Sequence, residues 1–340
     1  MAFNNDYEGV LVQKLRSYEN GIDADVLEDY VTLLSKEDIS SIIKRDLSSR
    51  VNWQPQDNLK SAEKCLTYCN MFNIQILLNT DQKYPEILRN ISDPPYLLFC
   101  RGNVDILSEK SVSVVGTRKL SSVGKEAAVK FSYDAVMDGI NVISGLANGA
   151  DAYAHKGAVE AYFDFVEHNK DLSKLGKTIA VLPSSIDQIV PSSNKKLASQ
   201  ILQSGGLIIS EYEPKLQLAN FHFVGRNRII AGLSPATVVI EAPAGSGALI
   251  TADFALEEGR DVFFHKATFN NLASQISNVV KSDLQVRFAQ GEVTKYKIEN
   301  TPEKFLEAGA PVIEDYKDYC ESMKLAPGLH NRHKLQSELF

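Results

Sequence analysis

The chain has 340 residues, of which 44% are hydrophobic and 23% charged, and its formal net charge is −7. This composition is typical of a globular protein with a large core. It excludes a chain that is basic throughout, although a local basic groove is compatible with it. No apolar run is long enough to span a membrane, and residues 1–10 lack the charged and apolar parts of a signal peptide, so we expect a cytoplasmic protein. The four cysteines form no C-x-x-C pair, which predicts reduced thiols and no metal site.

Residues 1–72 space their apolar side chains by three or four positions, with few glycines and no strong strand pattern. We therefore predict a small helical domain over this region. Its last helix is expected at DNLKSAEKCLTYCNMF, residues 57–72. No motif in the region indicates a function.

From residue 73 the pattern changes to short β-branched runs that alternate with helical patterns. After IQILLNT the predicted strands are SVSVVG, NVISG, KTIAVLP, GLIISEY, ATVVIEA and DVFFHKA. Strands that are apolar throughout, with helices between them, are typical of a parallel sheet covered on both faces. Because such crossovers are right-handed, we predict an α/β core with a doubly wound, Rossmann-like and mainly parallel sheet.

Three loops follow the carboxyl ends of these strands, where folds of this class bind ligands. They are VVGTRKLSSVGKE (114–126), ISGLANGADAYAH (143–155) and EAPAGSGALITA (241–252), called here the first, second and third loops. Small residues let backbone N–H groups approach an anion, and the N-terminus of the following helix adds a positive dipole. With Arg118 and Lys119 in the first loop, the three loops predict a phosphate-binding edge.

None of these loops matches a nucleotide-cofactor motif. Gly116 and Gly124 are too far apart for a Walker A motif, and Glu126 follows Lys125 where Ser or Thr should bind magnesium. The loop is not G-x-G-x-x-G either, and no acidic residue ends the strand NVISG to bind a ribose. We therefore expect no cofactor. Two ligand classes stay open, namely a nucleotide held by unusual contacts and the backbone of a nucleic acid.

A more specific pattern runs through seven segments, in the order YPEILRNISDPPYLLFCRGN, VVGTRKLSSVGKEAA, GINVISGLANGADAYAHKGAVEA, KTIAVLPSSID, GGLIISEY, FVGRNRIIAGLS and EAPAGSGALITADFALEEGRDVF. From about Lys83 to Phe264 the chain resembles the DNA-processing protein A family, also called Smf. The resemblance implies an extended Rossmann-like core that binds single-stranded DNA by its phosphates and forms a homodimer. It also implies loading of the RecA recombinase during natural transformation, and a SAM-like domain over residues 1–72.

The resemblance further implies which residues contact DNA. They are Gly116, Thr117, Arg118, Lys119, Ser144, Gly145, Leu146, Ala147, Asn148, Arg226, Gly245, Ser246 and Gly247. Arg226 is expected at the DNA-binding edge, whereas Arg228, two positions later, points elsewhere on the helix. We expect Arg228 to form a structural ion pair with Glu241 or Glu211. Asp151 and Glu241 are expected to orient the ends of the loops.

The chain departs from the family pattern in several places. Asn148 stands where arginine is usual, so the second loop is less basic. Residues 268–302 are interpreted as an insertion, after which FLEAGAPVIEDY resumes the pattern and takes the core to residue 317. Residues 318–340 are too few for the winged-helix domain of many relatives, and we expect a basic tail there.

Catalysis is the competing class of function. The third loop faintly resembles the PGGxGTxxE loop of nucleoside-monophosphate phosphoribohydrolases, but their glutamate aligns with Thr251, whose hydroxyl cannot supply a carboxylate. The sequence places no nucleophile beside His155, so we expect that histidine to pack within its helix. We predict a non-catalytic protein that binds single strands. The alternatives are a small-nucleotide binder that uses the same edge, and a scaffold whose loops are only tight turns.

The segment ADFALEEGRDVFF, residues 252–264, predicts an amphipathic helix followed by an edge-like strand. A second copy of the chain could cover such a strand. We therefore expect the homodimer implied by the resemblance to form through the Rossmann-like core.

Overall fold

A computed structural model describes residues 55–325. Within them the helices are α1 (Pro55–Met71), α2 (Glu86–Arg89), α3 (Ser122–Met137), α4 (Ala150–Glu167), α5 (Lys195–Gln203), α6 (Asn220–Gly232), α7 (Gly247–Glu257), α8 (Asn271–Ala289), α9 (Lys295–Glu299), α10 (Pro302–Glu307) and α11 (Tyr316–Leu325). The strands are β1 (Gln75–Leu78), β2 (Leu97–Gly102), β3 (Ser111–Val115), β4 (Asn141–Ser144), β5 (Thr178–Val181), β6 (Leu207–Ser210), β7 (Ala236–Val239), β8 (Asp261–His265) and β9 (Val312–Ile313). The predictions for residues 1–54 and 326–340 lie outside the described residues.

In the described part of the chain, nine strands form one sheet in the order β1-β2-β6-β5-β4-β3-β7-β8-β9. The pairs β1–β2 and β2–β6 are antiparallel, and the other pairs are parallel. From β3 the strand numbers rise outward to β6 on one side and to β9 on the other, and β2 and β1 follow β6. Right-handed crossovers therefore place α3, α4 and α5 on one face and α6 and α7 on the other. The predicted doubly wound, mainly parallel α/β fold is confirmed.

Alternate residues of the central strands pack against opposite faces of the sheet. Val114 and Val142 lie in a hydrophobic cluster with residues of α3 and α4. Their neighbours Val115 and Ile143 lie in a second cluster with residues of α6 and α7. Because both faces are covered, every position of these strands is buried, which explains their largely hydrophobic sequence. A polar side chain among them, such as Ser113, forms a hydrogen bond within the core.

Two expectations at the carboxyl-terminal end of the core need correction. The strand β8 is not an edge strand, because β9 pairs with it in parallel and Phe264 lies opposite Val312. Residues 318–325 belong to α11 rather than to a tail. The helix is fixed by aromatic packing, since the ring of Tyr319 lies edge-on to that of Phe131 with 5.6 Å between centroids. Both elements follow the insertion, and β9 lies within the segment FLEAGAPVIEDY, where the sequence predicted the end of the core but no strand.

The predicted helix at residues 57–72 is present as α1, and it packs on the α/β core. Cys65 and Cys69 share a hydrophobic cluster with Ile76 of β1 and Leu197 of α5. Both thiols are buried and neither is part of a disulfide. None of the helices between residues 55 and 325 has the length and apolar composition needed to cross a membrane.

Candidate nucleic-acid interface

The three predicted loops lie together at the carboxyl edge of the sheet. There β3 and β7 are neighbours, and the helices that follow them, α3 and α7, leave toward opposite faces. This is the switch point at which doubly wound folds bind ligands. A cavity of about 750 Å³ opens there, lined by the first and third loops and by residues of α6, α7 and α8. Residues that are far apart in the sequence therefore converge on one crevice.

The first loop presents two exposed cations, Arg118 and Lys119. The guanidinium of Arg118 lies over the ring of Phe223 from α6, 5.2 Å from the ring centroid. Neither cation forms an ion pair with a carboxylate of residues 55–325. A guanidinium that stacks on a ring keeps its N–H groups available for hydrogen bonds. Arg118 can therefore donate to an anionic oxygen in the crevice.

Glu241 fixes the first loop, as the sequence predicts for an orienting residue. Its backbone carbonyl accepts the N–H of Thr117 at 2.6 Å, and its Oε2 accepts the N–H of Ser121 at 2.8 Å. Ser121 is the N-cap of α3 and accepts the N–H of Gly124 at 3.0 Å. A protein carboxylate thus occupies the positive end of this helix dipole. The N-terminus of α3 is therefore not available as a phosphate site.

Most of the second loop is buried. Ser144 and Leu146 have no exposed surface, and the Ser144 hydroxyl donates to the carbonyl of Val114 at 2.6 Å. Leu146 has a φ of 54°, a conformation that a non-glycine residue keeps only when its packing holds it there. Ala147 and Asn148 reach the surface, so these are the positions at which the loop can meet a ligand.

Arg226 lies beneath the loops instead of at their surface, since the residue is only 4% exposed. Its Nη1 donates to the carbonyls of Gly145 at 2.7 Å and Val181 at 2.5 Å, which joins the carboxyl ends of β4 and β5. Burial lowers the pKa of Arg226 to about 10, while nearby Asp151 opposes that shift, so the group stays charged at neutral pH. We therefore revise the expectation for Arg226 from a DNA contact to an orienting residue.

Asp151 and Gly145 complete the environment of this buried arginine. Burial raises the pKa of Asp151, whereas the charge of Arg226 and the N–H of Ala147, at 3.4 Å, act in the opposite direction. A Cβ atom on Gly145 would overlap the guanidinium of Arg226. Glycine is needed at position 145 because the arginine passes there, and not because an anion approaches.

Arg228 forms the structural ion pair predicted for it. Its Nη1 and Nη2 donate to the two carboxylate oxygens of Glu211 at 2.9 and 2.5 Å, and its Nε donates to Asp93 at 3.0 Å. Burial disfavours the charge of Arg228, but the carboxylates of Glu211 and Asp93 outweigh that effect and raise its pKa. Of the two partners considered from the sequence, Glu211 is the one observed, whereas Glu241 holds the first loop.

The third loop is closed off by the insertion. The N–H of Ala244 donates to the Ser277 hydroxyl at 3.1 Å, and the N–H of Gly245 donates to the Asn300 carbonyl at 2.8 Å. These donors are therefore satisfied within the protein and are not free for phosphate. Gly247, at the start of α7, stays exposed, with open space where a side chain would stand.

The thirteen residues expected to contact DNA thus differ in exposure. Ser144, Gly145, Leu146 and Arg226 are buried; Gly116, Thr117, Ala147, Gly245 and Ser246 are half-buried; Arg118, Lys119, Asn148 and Gly247 are exposed. The structure brings all three loops to one edge, but it leaves the side chains of the first loop as the accessible cations of the predicted set.

The two residues weighed for catalysis are both buried. The hydroxyl of Thr251 points back to the carbonyl of Gly247 at 3.5 Å. The hydroxyl of Thr178 donates to the carbonyl of Val142 at 2.8 Å, so it accepts from Nδ1 of His155, which lies 2.7 Å away. Between residues 55 and 325 no cluster of His, Cys, Asp and Glu has the spacing of a metal site.

His155 is expected to make folding sensitive to acid. Burial lowers its pKa from 6.5 to about 3, so below about pH 6.5 the unfolded chain binds a proton that the folded protein does not. The free energy of unfolding therefore decreases as the pH is lowered below about 6.5. We expect His155→Asn, which does not titrate, to reduce this slope by up to about 1.4 kcal/mol per pH unit. Urea unfolding of both proteins between about pH 7 and pH 5 measures it, and equal slopes would contradict the assignment.

Phe223 and the residues of α8 line the crevice, although the sequence did not identify them as site residues. The sequence signal for Phe223 is an aromatic residue three positions before Arg226, in FHFVGRNR, which predicts only one face of a helix. The signal for α8 is an apolar spacing inside the insertion. Neither pattern shows which part of the core the residues will meet.

The α/β core is similar to known proteins. A profile of the DNA recombination-mediator protein A family matches residues 75–324. The chain is 42% identical over 187 residues to the DNA processing protein DprA of Streptococcus pneumoniae, and 39% identical over 188 residues to protein Smf of Borreliella burgdorferi. These alignments cover 54% and 55% of this chain and 60% and 56% of the relatives. The chain thus spans little more than half the length of the curated relatives it matches.

Two solved structures are similar over most of their length. DprA of Streptococcus pneumoniae aligns with a TM-score of 0.61 and 28% identity, over 93% of this chain and 97% of that chain. DprA of Helicobacter pylori, described for its single-stranded DNA binding mode, aligns with a TM-score of 0.54 over 74% and 96% of the two chains. At 22% identity the latter likeness shows the fold alone. Because the family profile covers the whole sheet, the three loops and the insertion, the chain belongs to the DNA recombination-mediator protein A family.

Proposed function

We propose that this protein binds single-stranded DNA at the carboxyl edge of its sheet, without catalysing a reaction on it. The observation that carries this proposal is the pair of exposed cations Arg118 and Lys119, which have no carboxylate partner among residues 55–325. They stand beside a crevice on a protein of net charge −7, so binding must be local. A few cations beside an open groove suit a strand that is held by its phosphates.

Family membership supports the proposal that the ligand is a nucleic acid. The relatives carry names that refer to DNA processing, and one structural neighbour is described for binding single-stranded DNA. The absence of catalysis is supported by the crevice itself, where the position of the glutamate of phosphoribohydrolase loops is held by the buried Thr251. His155 is equally buried and hydrogen-bonded to Thr178, and so has no access to a substrate.

The role in recombination rests on family membership. We propose that the protein assists the loading of RecA onto single strands and acts as a homodimer. The rate of RecA filament assembly on coated strands, with and without the protein, tests the first part, and light scattering at micromolar concentration tests the second. Since β9 covers β8, a dimer would have to use a surface other than the edge of β8.

A small-nucleotide binder is the second candidate, because the cavity has a volume common for ligand sites and lies at the switch point. One titration separates the two. We expect a labelled oligothymidine to bind, mononucleotides to compete poorly, and affinity to fall with salt with a slope of roughly −1.4 if Arg118 and Lys119 neutralise two phosphates. If a mononucleotide displaces half of the labelled oligothymidine at a concentration no higher than unlabelled oligothymidine requires, the second candidate is favoured. No detectable oligonucleotide binding would refute the first.

A further inference from the structure

A second group of cations begins beside the first loop, on the face of the sheet that α3 and α4 cover. Both helices start at the carboxyl edge, because α3 follows β3 and α4 follows β4. The start of α4 packs on the first loop, since the N–H of Ala150 donates to the carbonyl of Thr117 at 3.1 Å. A Cβ atom on Gly149 would overlap the backbone of Arg118. The first turns of α3 and α4 therefore adjoin the cations that are proposed to hold the strand.

Two lysines of these turns gather around one aromatic ring. The ammonium group of Lys156 lies 4.4 Å from the centroid of the Tyr153 ring, and both residues belong to α4. The ammonium group of Lys125, from α3, lies 5.8 Å from the same centroid. Each contact is a cation–π interaction, which favours one position of a long side chain that solvent would leave free. The ring thus brings together two positive charges from two different helices.

Neither ammonium group has an anionic partner in the described part of the chain. Lys125 and Lys156 are both exposed, and no carboxylate between residues 55 and 325 forms an ion pair with either of them. Two like charges that are held close together repel each other, and an anion bound between them offsets that repulsion. Together with Arg118 and Lys119 they form a series of cations that leads away from the crevice. The regularly spaced phosphates of a single strand are complementary to such a series.

The acidic residues of this face limit how far the series extends. Glu126 and Glu160 are exposed beside and beyond the two lysines, and Asp134 pairs with Lys130 at 2.7 Å in the second half of α3. On these two helices the lysines without an ion pair therefore lie only in the first two turns, next to the carboxyl edge. We expect about two phosphates to be bound there, one for each lysine.

We propose that the bound single strand continues past the crevice over the first turns of α3 and α4, where Lys125 and Lys156 bind its phosphates. Tyr153 is a positioning residue in this path, because its ring holds both ammonium groups. Glu241 already occupies the N-terminus of α3, so the phosphates meet the lysine side chains instead of the helix dipole. The inference rests on the proposed function and extends it to a surface outside the crevice. Because only phosphates are bound, the path has no preference for base sequence.

The test removes both charges in the double variant Lys125→Ala/Lys156→Ala. The matched control, Lys170→Ala/Lys174→Ala, removes two exposed lysines that lie after the end of α4, at the opposite edge of the sheet. Lys170 also lies over an aromatic ring, that of Phe165 at 5.1 Å, so the control loses the same kind of contact. Both variants and the unchanged protein are titrated at several salt concentrations with a labelled oligothymidine of about 15 nucleotides and with an abasic strand of equal length.

We expect Lys125→Ala/Lys156→Ala to bind both strands about tenfold more weakly at low salt. Its salt slope should be shallower by roughly 1.4, because the path adds two phosphates to those neutralised by the first loop. The control should change neither quantity. Urea unfolding should show the same stability for all three proteins, since the four lysines are exposed.

The positioning role of Tyr153 has its own pair of variants. Tyr153→Leu removes the ring and should weaken the binding of both strands about threefold, the effect of losing a cation–π contact at an exposed site. Tyr153→Phe keeps the ring and should bind like the unchanged protein. Equal losses in the two variants would show that the ring does not hold the lysines.

Failure of this inference differs from failure of the proposed function. If the unchanged protein binds neither strand, the proposed function fails, and the path over α3 and α4 fails with it. If the unchanged protein binds but Lys125→Ala/Lys156→Ala keeps its affinity and salt slope, the path alone is refuted. A loss of equal size in the control would indicate a general effect of charge, and a loss confined to oligothymidine would indicate contacts with bases. Either result would also refute the path.

Discussion

Arg228→Met is expected to lower the free energy of unfolding by about 3 to 5 kcal/mol, the range observed when one partner of a buried ion pair is removed. The loss of stability arises at the carboxylate of Glu211. This carboxylate is 7% exposed and receives both hydrogen bonds from the guanidinium of Arg228. Without the arginine this carboxylate stays buried and loses its main hydrogen-bond partner. Urea unfolding at neutral pH, followed by circular dichroism, measures the difference.

The matched control is the pair of substitutions together. Glu211→Met alone should also destabilise the protein, because it leaves the Arg228 guanidinium buried with only the half-exposed Asp93 as a carboxylate partner. The double variant should regain most of the loss, since two methionines of similar volume remove both charges at once. If the two single effects simply add in the double variant, the ion pair is not what holds this part of the fold.

The same logic distinguishes Arg228 from Arg226, which the sequence could not do fully. Two positions apart on a helix, the side chains must point in different directions, and this much is predictable. The groups that surround each side chain cannot be predicted in this way. Arg226 meets the carbonyls of Gly145 and Val181, which arrive from two strands far away in the sequence. A guanidinium can saturate backbone carbonyls or bind a phosphate, and the sequence alone does not show which acceptor lies within reach.

The doubly wound core was predictable because its signals are local. Strands that are largely apolar on both faces indicate that both faces are covered, and the helical spacings between them indicate the crossovers. The short strand β9 has no such signal. Its two residues, Val312 and Ile313, become a strand only because β8 offers an unpaired edge beside them. The edge-like character assigned to β8 was wrong for the same reason.

The glycine-rich loops show the limit of reading chemistry from composition. Glycine at position 145 makes room for Arg226, and the N–H of Gly245 is taken by Asn300 from the insertion. At the first loop, Glu241 occupies the helix N-terminus that would otherwise attract an anion. The pattern located the edge correctly, but tertiary contacts determine which donors stay available. At this edge the accessible charge is carried mainly by side chains.

Because the accessible donors at this edge are side chains, we predict that the proposed binding depends most on Arg118. We expect Arg118→Ala to weaken oligothymidine binding by about 1 to 3 kcal/mol, the contribution of charge-assisted hydrogen bonds to a phosphate. The salt slope should become shallower by roughly 0.7, the contribution of one phosphate on a single strand. Arg118→Lys should lie between the two proteins, since an ammonium keeps the charge but loses the planar set of donors. Fluorescence anisotropy at several salt concentrations gives both quantities.

The control variant removes one positive charge from the opposite end of β3. Lys110 is exposed and immediately precedes β3 at its amino end, whereas Arg118 follows the carboxyl end. Lys110→Ala should therefore leave the affinity and the salt slope nearly unchanged, although it alters net charge as Arg118→Ala does. Folding should survive in Arg118→Ala, because the side chain is exposed and its positive charge opposes that of the buried Arg226. If folded Arg118→Ala binds like the unchanged protein, or if Lys110→Ala loses as much affinity, the carboxyl edge is not where the strand is held.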